Sequence, residues 1–149
     1  MILRAGAVGA ASALSLSLAA ALTGCSVGTG IEPDVRAGLN CVDDSPQCIS
    51  RRQTTLRHLV DDKNRTWVKE PATTEAYASG VRLFAYKKQK AVLSCDELAH
   101  GRREAEAARG ALKSGASNLT PAQVSRGTLL AAEVAKELQA EMGRRCKKG

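Results

Sequence analysis

Aromatic side chains are nearly absent from this 149-residue chain: Trp67, Tyr77, Phe84 and Tyr86 make up 3% of it. A core must then be built from Leu, Val and Ala, which suits closely packed helices better than a sheet. Histidine is as scarce. His58 and His100 are the two present, and they lie in no H-x-x-x-H or C-x-x-C-H arrangement, so neither zinc nor covalent haem finds a motif. The cysteines lack the short C-x2-4-C spacing of most zinc sites, and no G-x-S-x-G nucleophile elbow occurs. Glu104 and Glu106, two apart on an expected helix, point in different directions and make no acid/base pair. No internal repeat or low-complexity tract stands out. The expectation is a non-catalytic protein that needs no cofactor and no metal.

What the chain does have begins with an apolar leader. Residues 1–21 carry one charge, Arg4, followed by an Ala-, Leu- and Ser-rich stretch of signal-peptide length. Its small residues make it a poor permanent membrane span. The leader closes on Leu22-Thr23-Gly24-Cys25, which resembles the lipobox of bacterial lipoprotein precursors. The resemblance covers about the first 25 residues and implies that Cys25 becomes the first mature residue, with lipid on its sulfur. Two or more acyl chains anchor stably where one binds reversibly. Ser26, in place of Asp, resembles an outer-membrane address of enterobacterial type. Ala20-Ala21 leaves plain secretion as the alternative. Residues 26–40, with Gly28, Gly30, Pro33 and Gly38, read as a flexible tether that extends at most about 50 Å. The expected organisation is a signal peptide over 1–24, lipidated cysteine and tether over 25–40, and a helical domain over 41–149.

Charge and cysteine point the same way. The formal charge of +7 becomes +6 once Arg4 leaves with the leader. A basic surface suits nucleic acid, an anionic membrane or an acidic polymer, and export argues against nucleic acid. With Cys25 given to lipid, Cys41, Cys48, Cys95 and Cys146 remain, an even number that in an exported protein reads as two disulfides.

Four helices are expected. Ser45 caps the first, with Pro46 at its first position and Ile49, Leu56, Leu59 and Val60 on one side. A connector over 65–70 leads to a second helix over 73–90, where Tyr77, Val81 and Phe84 form an i, i+4, i+7 stripe. Ser94 and Glu97 make a capping box for the third, whose seam is Leu98, Gly101, Ala105, Ala108 and Leu112. Thr120, Pro121 and Gln123 start the fourth, with Val124, Gly127, Ala131, Val134, Leu138 and Met142 on its seam. From 121 to 145 this helix spans roughly 37 Å. The expected fold class is all-α, a small up-down-up-down bundle.

That order would bring all four cysteines to one pole, where the tether leaves. Cys41–Cys48 with Cys95–Cys146 is the favoured pairing, and Cys48–Cys95 with Cys41–Cys146 is the rival. The same pole would collect Arg51, Arg52, Lys87, Lys88, Lys90, Arg144, Arg145, Lys147 and Lys148, a candidate face for anionic headgroups. The competing reading makes the cations at helix C-termini simple partners of the helix dipoles. Trp67, expected at the far pole beside the turn over 114–118, is either a partner-binding anchor or a plug closing the bundle. The expected function is that of a membrane-anchored periplasmic lipoprotein, a structural, assembly or interaction factor with an envelope or cell-wall partner. The alternative is a binding module for peptidoglycan, anionic lipid or a small ligand between helices.

Overall fold

Four hydroxyl caps decide where most of the helices begin. Ser45 accepts from the Cys48 amide and starts α1, Pro46–Asp61; Thr73 accepts from the Ala76 amide and starts α2, Thr74–Ser79. Ser94 and Glu97 form a reciprocal capping box at α4, Cys95–Ser114, and Thr120 and Gln123 form another at α5, Pro121–Arg145. Each satisfies amides that the first helical turn leaves without partners. The remaining helix, α3, Val81–Gln89, follows Gly80 directly. The structure, a computed structural model, describes residues 34–115 and 118–146. Among them the protein is all-α, with five α-helices, one 3-10 turn (Thr66–Lys69) and no strand. No helix among the described residues is long and apolar enough to cross a membrane. The leader 1–24, Cys25, tether residues 26–33, Lys147 and Lys148 lie outside the described residues.

The expected up-down-up-down order does not hold. Gln89, ending α3, donates to the Val60 carbonyl at 2.5 Å near the end of α1, so α1 and α3 run the same way. Gln123 in the first turn of α5 reaches the Val42 carbonyl at 3.0 Å, and Arg126 reaches Asp44, just before α1 starts. Arg145 at the end of α5 donates to the carbonyls of Lys90 and Leu93 at 3.0 and 3.1 Å. Helices α1, α3 and α5 are therefore parallel, and α4 alone is antiparallel to them.

The cause lies between α1 and α3. Instead of one helix over 73–90, the chain leaves α1, makes the 3-10 turn, and runs back along the bundle as an extended strap over residues 70–73. Asp62 organises the turn by accepting from the amides of Asn64 and Thr66 at 2.9 and 2.8 Å. Those bonds outweigh the burial that acts in the opposite direction and hold its carboxyl below the ordinary value. The expected single helix is then split at Gly80, whose φ of +75° is left-handed, a conformation open to glycine at little cost. With α3 starting afresh there, Phe84 faces outward and is 43% exposed, so it drops out of the expected stripe.

The α4–α5 seams are as expected. Leu98, Gly101, Ala105, Ala108 and Leu112 pack on Gly127, Ala131, Val134 and Leu138, all buried. A Cβ at Gly101 would lie 2.6 Å from the Tyr86 ring and 3.1 Å from Leu138, so the missing side chain is what lets α3 and α5 approach α4 there.

The tether boundary also moves. Residues 34–40 fold onto the helices instead of hanging free: the Gly38 amide donates to Thr55 Oγ1 at 3.0 Å, and Arg36 pairs with Glu70 at 2.6 Å. Leu39 packs against the core. The domain thus begins no later than Asp34, because this segment fills the groove that the parallel α1 and the strap leave open.

Candidate functional site

The cysteines pair as favoured, but not at one pole. Cys41 and Cys48 are bonded with Cα atoms 5.4 Å apart, at the end where α1 and α5 begin. Cys95, the first residue of α4, and Cys146, closing α5, are bonded with Cα atoms 5.7 Å apart, at the opposite end. Their meeting follows from the helical register. Gly127 faces Leu112 and Gly101 faces Leu138, so the hairpin folds near residue 120, and Cys95 comes level with Cys146. Asp43 offers the one further metal-type donor near Cys41 and Cys48, but two sulfurs bonded to each other supply no thiolate.

The expected basic pole comes apart for the same topological reason. Arg51 and Arg52 lie at the first end; Lys87, Lys88, Lys90, Arg144 and Arg145 lie at the other. Most are engaged internally. Arg52 donates to the carbonyls of Cys41 and Asp43 at 3.1 and 2.6 Å. Lys87 bridges Glu133 and Glu137, and Lys90 also holds Glu137, which draws the Glu137 carboxyl below its ordinary value. Arg144 and Arg145 both pair with Glu141. Arg51 and Lys88 have no carboxylate partner among the described residues.

Trp67 is no exposed anchor. It is 2% exposed, its indole N–H donates to the Leu59 carbonyl at 2.9 Å, and its ring meets Tyr86 edge-on at 4.7 Å. The strap places it against α1 and α3, well away from residue 115, whose neighbour is Thr74. Trp67 therefore fills core space between the end of α1 and α3.

Beside it lies a buried polar network absent from the expectations. Arg82 grips Glu104 with two bonds of 2.8 and 2.7 Å and donates to the carbonyls of Trp67 and Glu70 at 2.7 and 3.0 Å. Tyr86 donates to the same carboxylate at 2.8 Å. Burial pulls the guanidinium down, but the hydrogen bonds and charge of Glu104 more than offset it, and Arg82 stays above its ordinary value. Burial pushes the Tyr86 phenol up, and the Glu104 charge pushes it further. One signal for Glu104 existed: it lies three residues after Gly101 and four before Ala108, on the seam side. For Arg82, one residue after Val81, periodicity offered none.

Glu104 of this network also lines a cleft of about 450 Å³ between the strap and α4, whose lining includes Lys69, Pro71, Tyr77, His100, Arg103 and Ala107. Its size is within the range of small-ligand sites. Of the carboxylates bordering it, Glu70 is held by Arg36 and Glu104 by Arg82. Lys69 and Arg103 are exposed and have no carboxylate partner among the described residues. His100 Nε2 lies 3.7 Å from Glu104. A second cleft, about 280 Å³ in size, is lined by Arg52, Phe84 and Arg126, but both its cations are engaged with Asp44. No protein-family model, curated protein or solved structure matches this chain.

Proposed function

We propose that the protein is a lipid-anchored envelope lipoprotein, held on the periplasmic side of the outer membrane, that acts by binding as a structural, assembly or interaction factor. One observation carries the reading. Of five cysteines, four are bonded in two pairs within the folded domain, which favours an oxidising compartment. Cys25, the lipobox cysteine, is then left over by count. From Cys25 to Asp34 the chain spans at most about 30 Å, so a lipid on Cys25 would keep the domain close to the bilayer. Intact-mass analysis of protein from native membranes, before and after reduction, tests this. Lipid mass on a chain beginning at Cys25, with four further cysteines alkylated only after reduction, supports the proposal; a lipid-free chain beginning elsewhere refutes the anchor.

A second reading, a binding module for a small ligand, is favoured by the cleft over α4. Two cations without carboxylate partners border it beside the apolar Pro71 and Ala107, an arrangement suited to an organic anion. Saturable binding of such a ligand by the mature protein, lost on Arg103→Gln, supports this reading; equal binding by Arg103→Gln refutes it.

A further inference from the structure

We propose that the cleft between the strap and α4 binds a phosphate monoester, with Lys69 and Arg103 matching its two charges and the Tyr77 hydroxyl and His100 completing the donors. The inference rests on the binding-module reading and names its ligand class. Tyr77 adds a neutral donor. Its ring is largely buried, the residue being 8% exposed, and it lines the cleft, where its hydroxyl makes no hydrogen bond to another described residue and is open to a ligand. Burial, with the nearby Glu104 charge, pushes this phenol above its ordinary value, so it remains an O–H donor.

The charge arithmetic selects the class. Glu70 and Glu104 are neutralised by Arg36 and Arg82, so the cleft's free charge is that of Lys69 and Arg103. A carboxylate would satisfy one of them; a phosphate monoester carries close to two negative charges and three acceptor oxygens. Arg103 offers a planar fork and Lys69 a mobile point charge, the two usual ways of holding a phosphate. Pro71 and Ala107 leave an apolar surface for the organic part of the ester. Such a ligand has two sources here, a soluble metabolite or the headgroup of a lipid with a terminal phosphate. The short reach from Cys25 brings the second within range.

The test uses the mature lipidated protein in neutral detergent, with calorimetry and the ring signals of His100 as readouts. Inorganic phosphate and glycerol 3-phosphate are the soluble probes; neutral-lipid nanodiscs with and without phosphatidic acid are the membrane probes. Saturable glycerol 3-phosphate binding is expected, weakened about tenfold or more by Arg103→Gln or Lys69→Gln and about fivefold by Tyr77→Phe. Lys113→Gln, an exposed cation outside the cleft, leaves it unchanged. Both charge variants alter exposed side chains, and circular dichroism checks that they fold. Binding only to phosphatidic acid nanodiscs, with the same variant pattern, assigns the headgroup source. If a muramyl peptide carboxylate binds at His100 while no phosphate probe saturates below about 10 mM, the phosphate class is overturned and the binding module survives. If no probe binds, or the variants bind equally well, both fall.

Discussion

Replacing Arg82 by Met keeps an unbranched apolar stem and removes every donor that holds Glu104 except the Tyr86 hydroxyl. The Arg82 and Glu104 side chains are 2% and 7% exposed, so the carboxylate recovers few of its lost partners from water. Breaking one partner of a buried pair costs about 3–5 kcal/mol. The strap adds less, because the Trp67 carbonyl keeps its bond from the Glu70 amide at 3.2 Å. Against a total stability of about 5–15 kcal/mol for a small domain, Arg82→Met removes a large share. Adding Glu104→Leu takes away the stranded charge and leaves the Tyr86 hydroxyl without its acceptor, a penalty of about 1–3 kcal/mol. The double variant is therefore more stable than Arg82→Met alone. Urea unfolding followed by far-UV circular dichroism, with disulfides intact, measures all three proteins. A loss below about 1 kcal/mol for Arg82→Met, or a double variant less stable than the single, would mean that water reaches the pair and the network is not sealed.

Three further outcomes follow from the same geometry. Removing Cys95–Cys146, which closes a separation of 51 residues, costs about 4 kcal/mol by chain entropy, and removing Cys41–Cys48, with a separation of 7, about 2 kcal/mol; urea midpoints of the two Ala/Ala variants rank them. Gly101→Ala drives a Cβ into the Tyr86 ring and destabilises by about 1–3 kcal/mol, whereas Gly110→Ala, with nothing within 4 Å, stabilises by up to about 1 kcal/mol; thermal melts of the pair check the contrast. On the acid side, burial works to raise Glu97, but the Arg65 and Ser94 bonds prevail and hold its carboxyl below the ordinary 4.5. Its contribution is therefore complete above pH 4.5 and lost as pH falls through the lower folded value, so melting temperatures recorded down to pH 2.5 fall less steeply for Glu97→Gln.

Where the sequence carried local signals, it was readable. Ser45-Pro46, Ser94 with Glu97, and Thr120-Pro121 with Gln123 each announce a helix start by chemistry confined to four residues, and each start is where these residues put it. The α4–α5 seam was readable because its small residues recur every three or four positions. Helix direction was not, because it depends on whether the link between two helices is a turn or a crossing. Residues 62–80 contain one proline and one glycine, and nothing local distinguishes a tight connector from a segment that crosses back along the bundle. From that one ambiguity came the misplaced pole, the gathered cations and the position of Trp67. The Arg82–Glu104 pair was hidden for another reason: charged residues are assigned to the surface until a specific partner is known, and here the partner lies 22 residues away.

The buried pair and the cleft are one device. Arg82 holds the strap to α4 through two carbonyls while cancelling the charge of Glu104, so it fixes both the position of Lys69 and the sign of the cleft's field. Without it, an unneutralised carboxylate would line the cleft, within 3.7 Å of His100, and would repel the anion that Lys69 and Arg103 attract. Arg82→Met should then weaken glycerol 3-phosphate binding even under conditions where the variant is fully folded, and adding Glu104→Leu should restore part of it by removing the repulsion. Stability alone predicts no such recovery, since a folded protein with Lys69, Tyr77, His100 and Arg103 intact would bind equally well in all three forms. Titrations at low temperature and low denaturant, with folding monitored in the same sample, separate the two. Equal affinities across wild type, single and double variants would show that the network only holds the fold together and takes no part in what the cleft binds.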